Sequence, residues 1–158
     1  MFQINEYKNK INNFFEIMAK NKNIADIKLS EEKWTLKEMI AHLIDSASNN
    51  HQRFIRLQIN KNIIFPAYDP EIWKSITRIN DFDFLDLINL WKSYNYYLLH
   101  IIENIDHNAL NNTWKTDEKE LTLQFIINDY FENHMDWHIE LYKKRIEEIM
   151  ERKHFEKN

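Results

Sequence analysis

The 158-residue chain contains no glycine, and that absence excludes more than any motif it carries. A turn that needs positive φ has no residue free of the Cβ penalty to supply it. There is accordingly no Gly-x-Gly-x-x-Gly dinucleotide turn, no Walker loop and no Asn-Gly hairpin. The strained glycine elbow of a Ser-His-Asp hydrolase is excluded on the same ground. Cysteine is absent too, which removes a disulfide framework, a Cys-based zinc site and a catalytic thiol.

Helical periodicity dominates what remains, and no stretch shows sustained strand alternation. Pro66 and Pro70 are the only prolines and mark one irregular stretch. The first helix is predicted over roughly 3–22, with Ile4, Tyr7, Ile11, Phe14, Phe15 and Met18 on one face. Thr35 and Glu38 form a capping box that starts the second helix, which runs to about 59. The third spans roughly 82–106, with Phe84, Leu87, Trp91, Leu98, Ile102 and Ile105 as its core stripe. The fourth runs from about Thr122 to the Arg152 region, and a charged, frayed tail follows from about residue 152.

About 22 residues connect the second helix to the third, far more than an up-down-up-down bundle needs. A link of that length can carry the chain back along the bundle and make those two helices parallel. No internal repeat or second core is visible. The expectation is one domain over 1–158, an all-α four-helix bundle with one long crossover.

The net charge is −4, and no basic block exceeds Lys143-Lys144-Arg145. Nucleic-acid binding needs a concentrated cationic face, so that class falls away. The N-terminus has no signal-peptide h-region, and no apolar run approaches the roughly 18 residues of a membrane span. A cytoplasmic protein with a small-molecule partner is expected.

With cysteine absent, histidine and carboxylates are the only strong transition-metal ligands. The seven histidines include His134 and His138, one turn apart in His134-Met135-Asp136-Trp137-His138. Both fall within the stripe of Leu123, Ile127, Phe131 and Leu141, with Glu132 and Asp136 opposite. Imidazoles aimed into a core must be satisfied there, by hydrogen bonds or by a metal. Two on one face suit a metal, provided a third ligand exists.

His42 is the best candidate for that ligand. It begins a polar stripe of His42, Asp45, Asn49, Arg53 and Arg56 opposite the core-seeking Ile40, Leu43, Ala47, Phe54 and Leu57. Periodicity alone leaves open whether the polar stripe faces solvent or a site. His51 reads as a packed core histidine, His100 as solvated, His107 as a loop residue and His154 as part of the tail. A zincin is disfavoured because Met135 stands where the general-base glutamate would. A di-iron bundle is disfavoured because the one Glu-x-x-His pair, Glu151 to His154, lies in the tail.

The segment from Trp34 to Phe54, with His42-Leu43-Ile44-Asp45-Ser46 at its centre, resembles the second-helix signature of the DinB-like (YfiT-related) superfamily of metal-binding bundles. Phe65-Pro66-Ala67-Tyr68-Asp69, Leu90-Trp91-Lys92-Ser93-Tyr94-Asn95 and the His134–His138 motif fit the same pattern. The resemblance implies a bundle in up-down-down-up order, commonly a homodimer. It implies a zinc or nickel ion held by His42, His134 and His138. It also implies a metal that activates a low-molecular-weight thiol for transfer to an electrophile.

Two other readings of the residues stand beside that one: hydrolysis by metal-bound water, and a non-catalytic metal-binding dimer. A three-histidine site leaves one coordination position for water or substrate. Asp45 could orient a ligand imidazole, Asn49 could do similar work, and Arg53 and Arg56 could grip an anionic group. Tyr68, Trp73 and Tyr130 are candidate cavity walls.

Overall fold

The computed structural model describes residues 2–116 and 119–156. Four long helical rods make the bundle. They are α1 (Ile4–Lys20), α2 (Leu36–Ile59), α4 (Phe84–Glu103) and a final rod built from α5 (Leu123–Asp129), a π-helical turn (Tyr130–His134) and α6 (Met135–Phe155). The crossover between α2 and α4 carries a short strand β1 (Asn62–Ile64) and helix α3 (Pro70–Thr77).

Helix starts are written in side-chain oxygens. Thr35 accepts from the Glu38 amide while the Glu38 carboxylate takes the Thr35 amide, completing the expected capping box. Asp69 caps α3 ahead of Pro70, Asp83 caps α4 and Thr122 caps α5. Each such cap contributes about 1 kcal/mol. Helix ends must close without glycine. Asn21 and Asn104 do so by donating Nδ2 to the carbonyls of Ile17 and His100. Arg78, after α3, is the one described residue with positive φ, at 48°, a conformation that costs a non-glycine residue about 1–2 kcal/mol.

Contacts between rods fix their directions. Lys8 pairs with Glu103 and Tyr96 bonds Asn12, so α1 and α4 are antiparallel. Trp34 meets Arg145, and Phe54 meets Tyr130, so α2 runs against the final rod. Tyr7 stacks on Phe131 and Phe14 meets Tyr142 edge-on, so α1 and the final rod are parallel. Lys37 reaches the Asn80 carbonyl and Gln58 takes the Asp106 amide, so α2 and α4 are parallel. The order is up-down-down-up, as the long crossover allows.

The predicted core faces are buried in α1 (Tyr7, Ile11, Phe14, Met18), α2 (Ile40, Leu43, Ala47, Phe54, Leu57) and α4 (Phe84, Leu87, Trp91, Leu98, Ile102, with Ile105 just past its end), although Ile4 and Phe15 are only half-buried. Trp91 is fully buried at the centre, edge-on to Phe14.

The all-α bundle is as expected, and one small sheet sits within its connections: β1 pairs parallel with β2 (Thr113–Lys115), which pairs antiparallel with β3 (Glu120–Thr122). Strands of three residues are too short to display a two-residue period, and β1 and β2 meet only through the tertiary fold. α6 continues to Phe155, with Arg152 bonded to Glu156 and to the Lys28 carbonyl.

Candidate metal centre

The site is set by the register of α2 against α6. Arg145 donates Nη1 to the Trp34 carbonyl just before the α2 cap, and Nε to Glu148 at 2.9 Å. From that tie His42 lies eight residues along α2, about 12 Å, and His138 seven residues back along α6, about 10 Å. The two rods being antiparallel, both imidazoles arrive at the same level. One ligand atom from each of His42, His134 and His138 lies within 4.8 Å of the others. Ring centroids are 4.9 Å apart for His42 and His138, 4.5 Å for His134 and His138, and 6.2 Å for His42 and His134.

Burial makes the cluster unfavourable for protons. Desolvation, with a contribution from His134, lowers the His42 pKa to about 4. Desolvation, with both neighbouring imidazoles, lowers that of His138 to about 3. His134 is lowered as well, chiefly by burial, against an opposing pull from Asp129. The three are therefore neutral at pH 7, the form that ligates a cation. Nδ1 of both His42 and His134 is buried without a hydrogen-bond partner among the described residues. Each such orphaned group costs about 1–3 kcal/mol. Three neutral, converging imidazoles with unspent lone pairs fit a divalent transition-metal ion.

Aromatic rings collar the cluster. Trp34 meets His42 edge-on at 5.5 Å, and Trp137 meets His138 edge-on at 4.6 Å. Tyr130 stacks on His134 at 5.9 Å, across the π-helical turn. π-turns inside long helices recur at functional sites. Tyr68, from the crossover, lies 6.2 Å from His42. The cluster opens into a cleft of about 590 Å³ walled by Trp34, Met39, Pro70, Trp137 and Leu141.

His134 and His138 lie at the border of the core, beside this cleft. Leu123, Ile127 and Phe131 are buried as predicted, whereas Leu141 is half-buried and lines the cleft. The polar stripe of α2 does not face bulk water until its end: His42, Asp45 and Arg53 are half-buried, Asn49 is buried, and only Arg56 is exposed. The crossover covers it, a contact no α2 residue could announce. Asp45 makes no hydrogen bond to an imidazole. Burial raises its pKa to about 6, and its charge acts on Tyr68. Asn49 donates Nδ2 back to the Asp45 carbonyl. Trp73 packs on Tyr68 at 4.7 Å and stands behind the site rather than lining it.

His51 bonds Tyr94 through Nδ1 at 3.1 Å, while His100, His107 and His154 are exposed and apart from the cluster. Sequence reasoning missed Trp34 and Trp137 as walls. Trp137 offered a signal, sitting between the two histidines off the core stripe. Trp34 offered little, because its position before a helix cap already had a structural explanation.

No protein-family model and no curated protein sequence matches the chain. Among solved structures, the chain matches YfiT from Bacillus subtilis, described as a probable metal-dependent hydrolase with an unusual four-helix bundle topology. The TM-score is 0.77 at 14% identity, over 93% of this chain and 87% of that one. The fold is that of YfiT, in agreement with the family resemblance of the second helix and the His134–His138 motif.

Proposed function

We propose that the chain is a metal-dependent hydrolase of the DinB-like type, with His42, His134 and His138 holding a zinc or nickel ion. The observation that carries this reading is the convergence of three neutral imidazoles, one buried and two half-buried, beside a cleft. A divalent ion held by three protein ligands keeps a position open and supplies a water acidified toward about pKa 7. The likeness to YfiT supports hydrolysis over thiol transfer, and nothing around the cluster singles out a thiol.

The protein's own contribution is orientation and the walls of the cleft. The Arg145–Trp34 tie and the capping box fix His42 relative to α6. Trp34, Trp137, Met39 and Leu141 give the cleft apolar walls, and Glu32, Glu71 and Arg145 give it charged ones. The walls suit a substrate with both an apolar part and a polar part.

Elemental analysis of the purified protein beside His42→Ala, His134→Ala and His138→Ala tests the reading. One metal per chain is expected in the parent and none in the variants, all of which remain helical by circular dichroism. A panel of small esters and amides should be hydrolysed by the parent, not after chelation, and again on adding zinc or nickel. A metal-free parent that still hydrolyses, or variants that keep their metal, would overturn it.

A further inference from the structure

A second cavity, of about 220 Å³, shares His134 with the cleft as a lining residue. Ser46, Asn50 and Arg53 of α2 face it, with Tyr68, Trp114 and Asp129 across from them. Arg53 is held in an unusual way. Its guanidinium carbon lies 4.0 Å from the centroid of the Trp114 ring, and its Nη1 donates to Asn50 Oδ1 at 3.2 Å. Trp114 is itself fixed, its indole donating to the Phe65 carbonyl at 3.0 Å from within β2. The small sheet therefore serves as the mount for this indole. Arg53 Nε is buried without a hydrogen-bond partner, and no described carboxylate forms an ion pair with the guanidinium.

Arg53 lines the cavity with its guanidinium clamped on one face and at one corner and with no carboxylate ion-paired to it among the described residues. A guanidinium held in this way matches the two oxygens of a carboxylate. The volume admits a carboxylate with a few attached atoms, given about 30 Å³ for one water. Charge narrows the choice further. Asp129 lines the same cavity, and Asp45 acts on its wall residue Tyr68, so a phosphate dianion meets more repulsion than a carboxylate. Arg56, the other arginine of the stripe, is exposed, bonded to Gln52 and outside the cavity.

We propose that this cavity is a carboxylate subsite, in which Arg53 anchors a small carboxylic acid whose reacting group extends past His134 to the three-histidine cluster. The part concerning the reacting group rests on the metal-dependent reading above; the anion site itself does not.

The test follows the Arg53 Nε–H resonance of the full chain during titration with acetate, before and after chelation of metal. A saturable shift is expected in both forms, in a resonance assigned by through-bond correlation to the Arg53 backbone and absent from Arg53→Lys. That variant should bind acetate about tenfold more weakly or worse. Phosphate at equal ionic strength should bind less well than acetate, and Asp129→Asn should narrow the gap. A resonance that acetate leaves unmoved would overturn the proposal, and that measurement needs no variant to fold. Acetate affinity unchanged in Arg53→Lys, or seen only in the metal-loaded protein, would place the anion on the metal and also overturn it. Phosphate binding more tightly than acetate would overturn the carboxylate assignment. A chain found to hold no metal, yet shifting with acetate, would sink the hydrolase reading and leave this one standing.

Discussion

α2 carries two histidines about two and a half turns apart, and their surroundings differ in kind. His51 turns toward α4 and has a partner, the Tyr94 hydroxyl at 3.1 Å, with the ring of Tyr97 edge-on at 5.3 Å. His42 turns toward α6 and meets two more imidazoles, with its Nδ1 buried and unpartnered. Burial lowers the pKa of both. The contrast separates a histidine that completes a packing arrangement from one that spends stability to keep a lone pair available.

The comparison breaks most visibly at the metal. His138→Ala should abolish bound metal, and chelation, which lowers the melting temperature of the parent, should leave the variant's unchanged. Metal retained after His138→Ala would erase the distinction drawn here. Next in size is a pH effect on the metal-free protein. His42 at about 4 and His138 at about 3 lie below the roughly 6.5 of the unfolded chain. Between those limits the unfolded state binds more protons. Stability is therefore full above about pH 6.5 and falls as the pH drops through about 4 and 3, by an amount on the order of a few kcal/mol. Melting temperatures recorded with chelator across that range check it, and His138→Gln should flatten the profile.

Thr35→Ala removes the side-chain half of the capping box and should cost about 1 kcal/mol in urea unfolding, with metal stoichiometry unchanged. The smallest effect belongs to the paired histidine. His51→Phe gives up one hydrogen bond to a half-buried hydroxyl, worth about 1 kcal/mol or less, and keeps all the metal. Loss of metal in His51→Phe would mean that the two regions of α2 are coupled, and the comparison would have to be redrawn.

Much of this was legible in the residues. Thr35 and Glu38 announced where α2 begins, and the core stripes of α1, α2 and α4 follow from helical spacing because packing selects one face of each rod. His134 and His138 were legible as a pair for the same reason: a separation of four is a local property of a helix. The sheet was not, since β1 and β2 are strands of three residues joined across the fold. The partner of Asp45 was not legible, because adjacency along a stripe says nothing of hydrogen-bond direction. Arg53 and Arg56 looked equivalent in the stripe, yet Trp114 covers one and the other is exposed.

By itself the sequence determined four amphipathic rods, the caps that start them, a crossover long enough to reverse the usual order, and the turns denied to a chain without glycine. These depend on periodicity and on local backbone sterics, which short stretches of chain carry complete. Only the tertiary structure decided that His42 meets His134 and His138, that the crossover roofs the polar side of α2, and that an indole from β2 clamps Arg53. Those outcomes rest on the register between rods distant in sequence, which is fixed by the sum of many weak contacts and is encoded in no single segment.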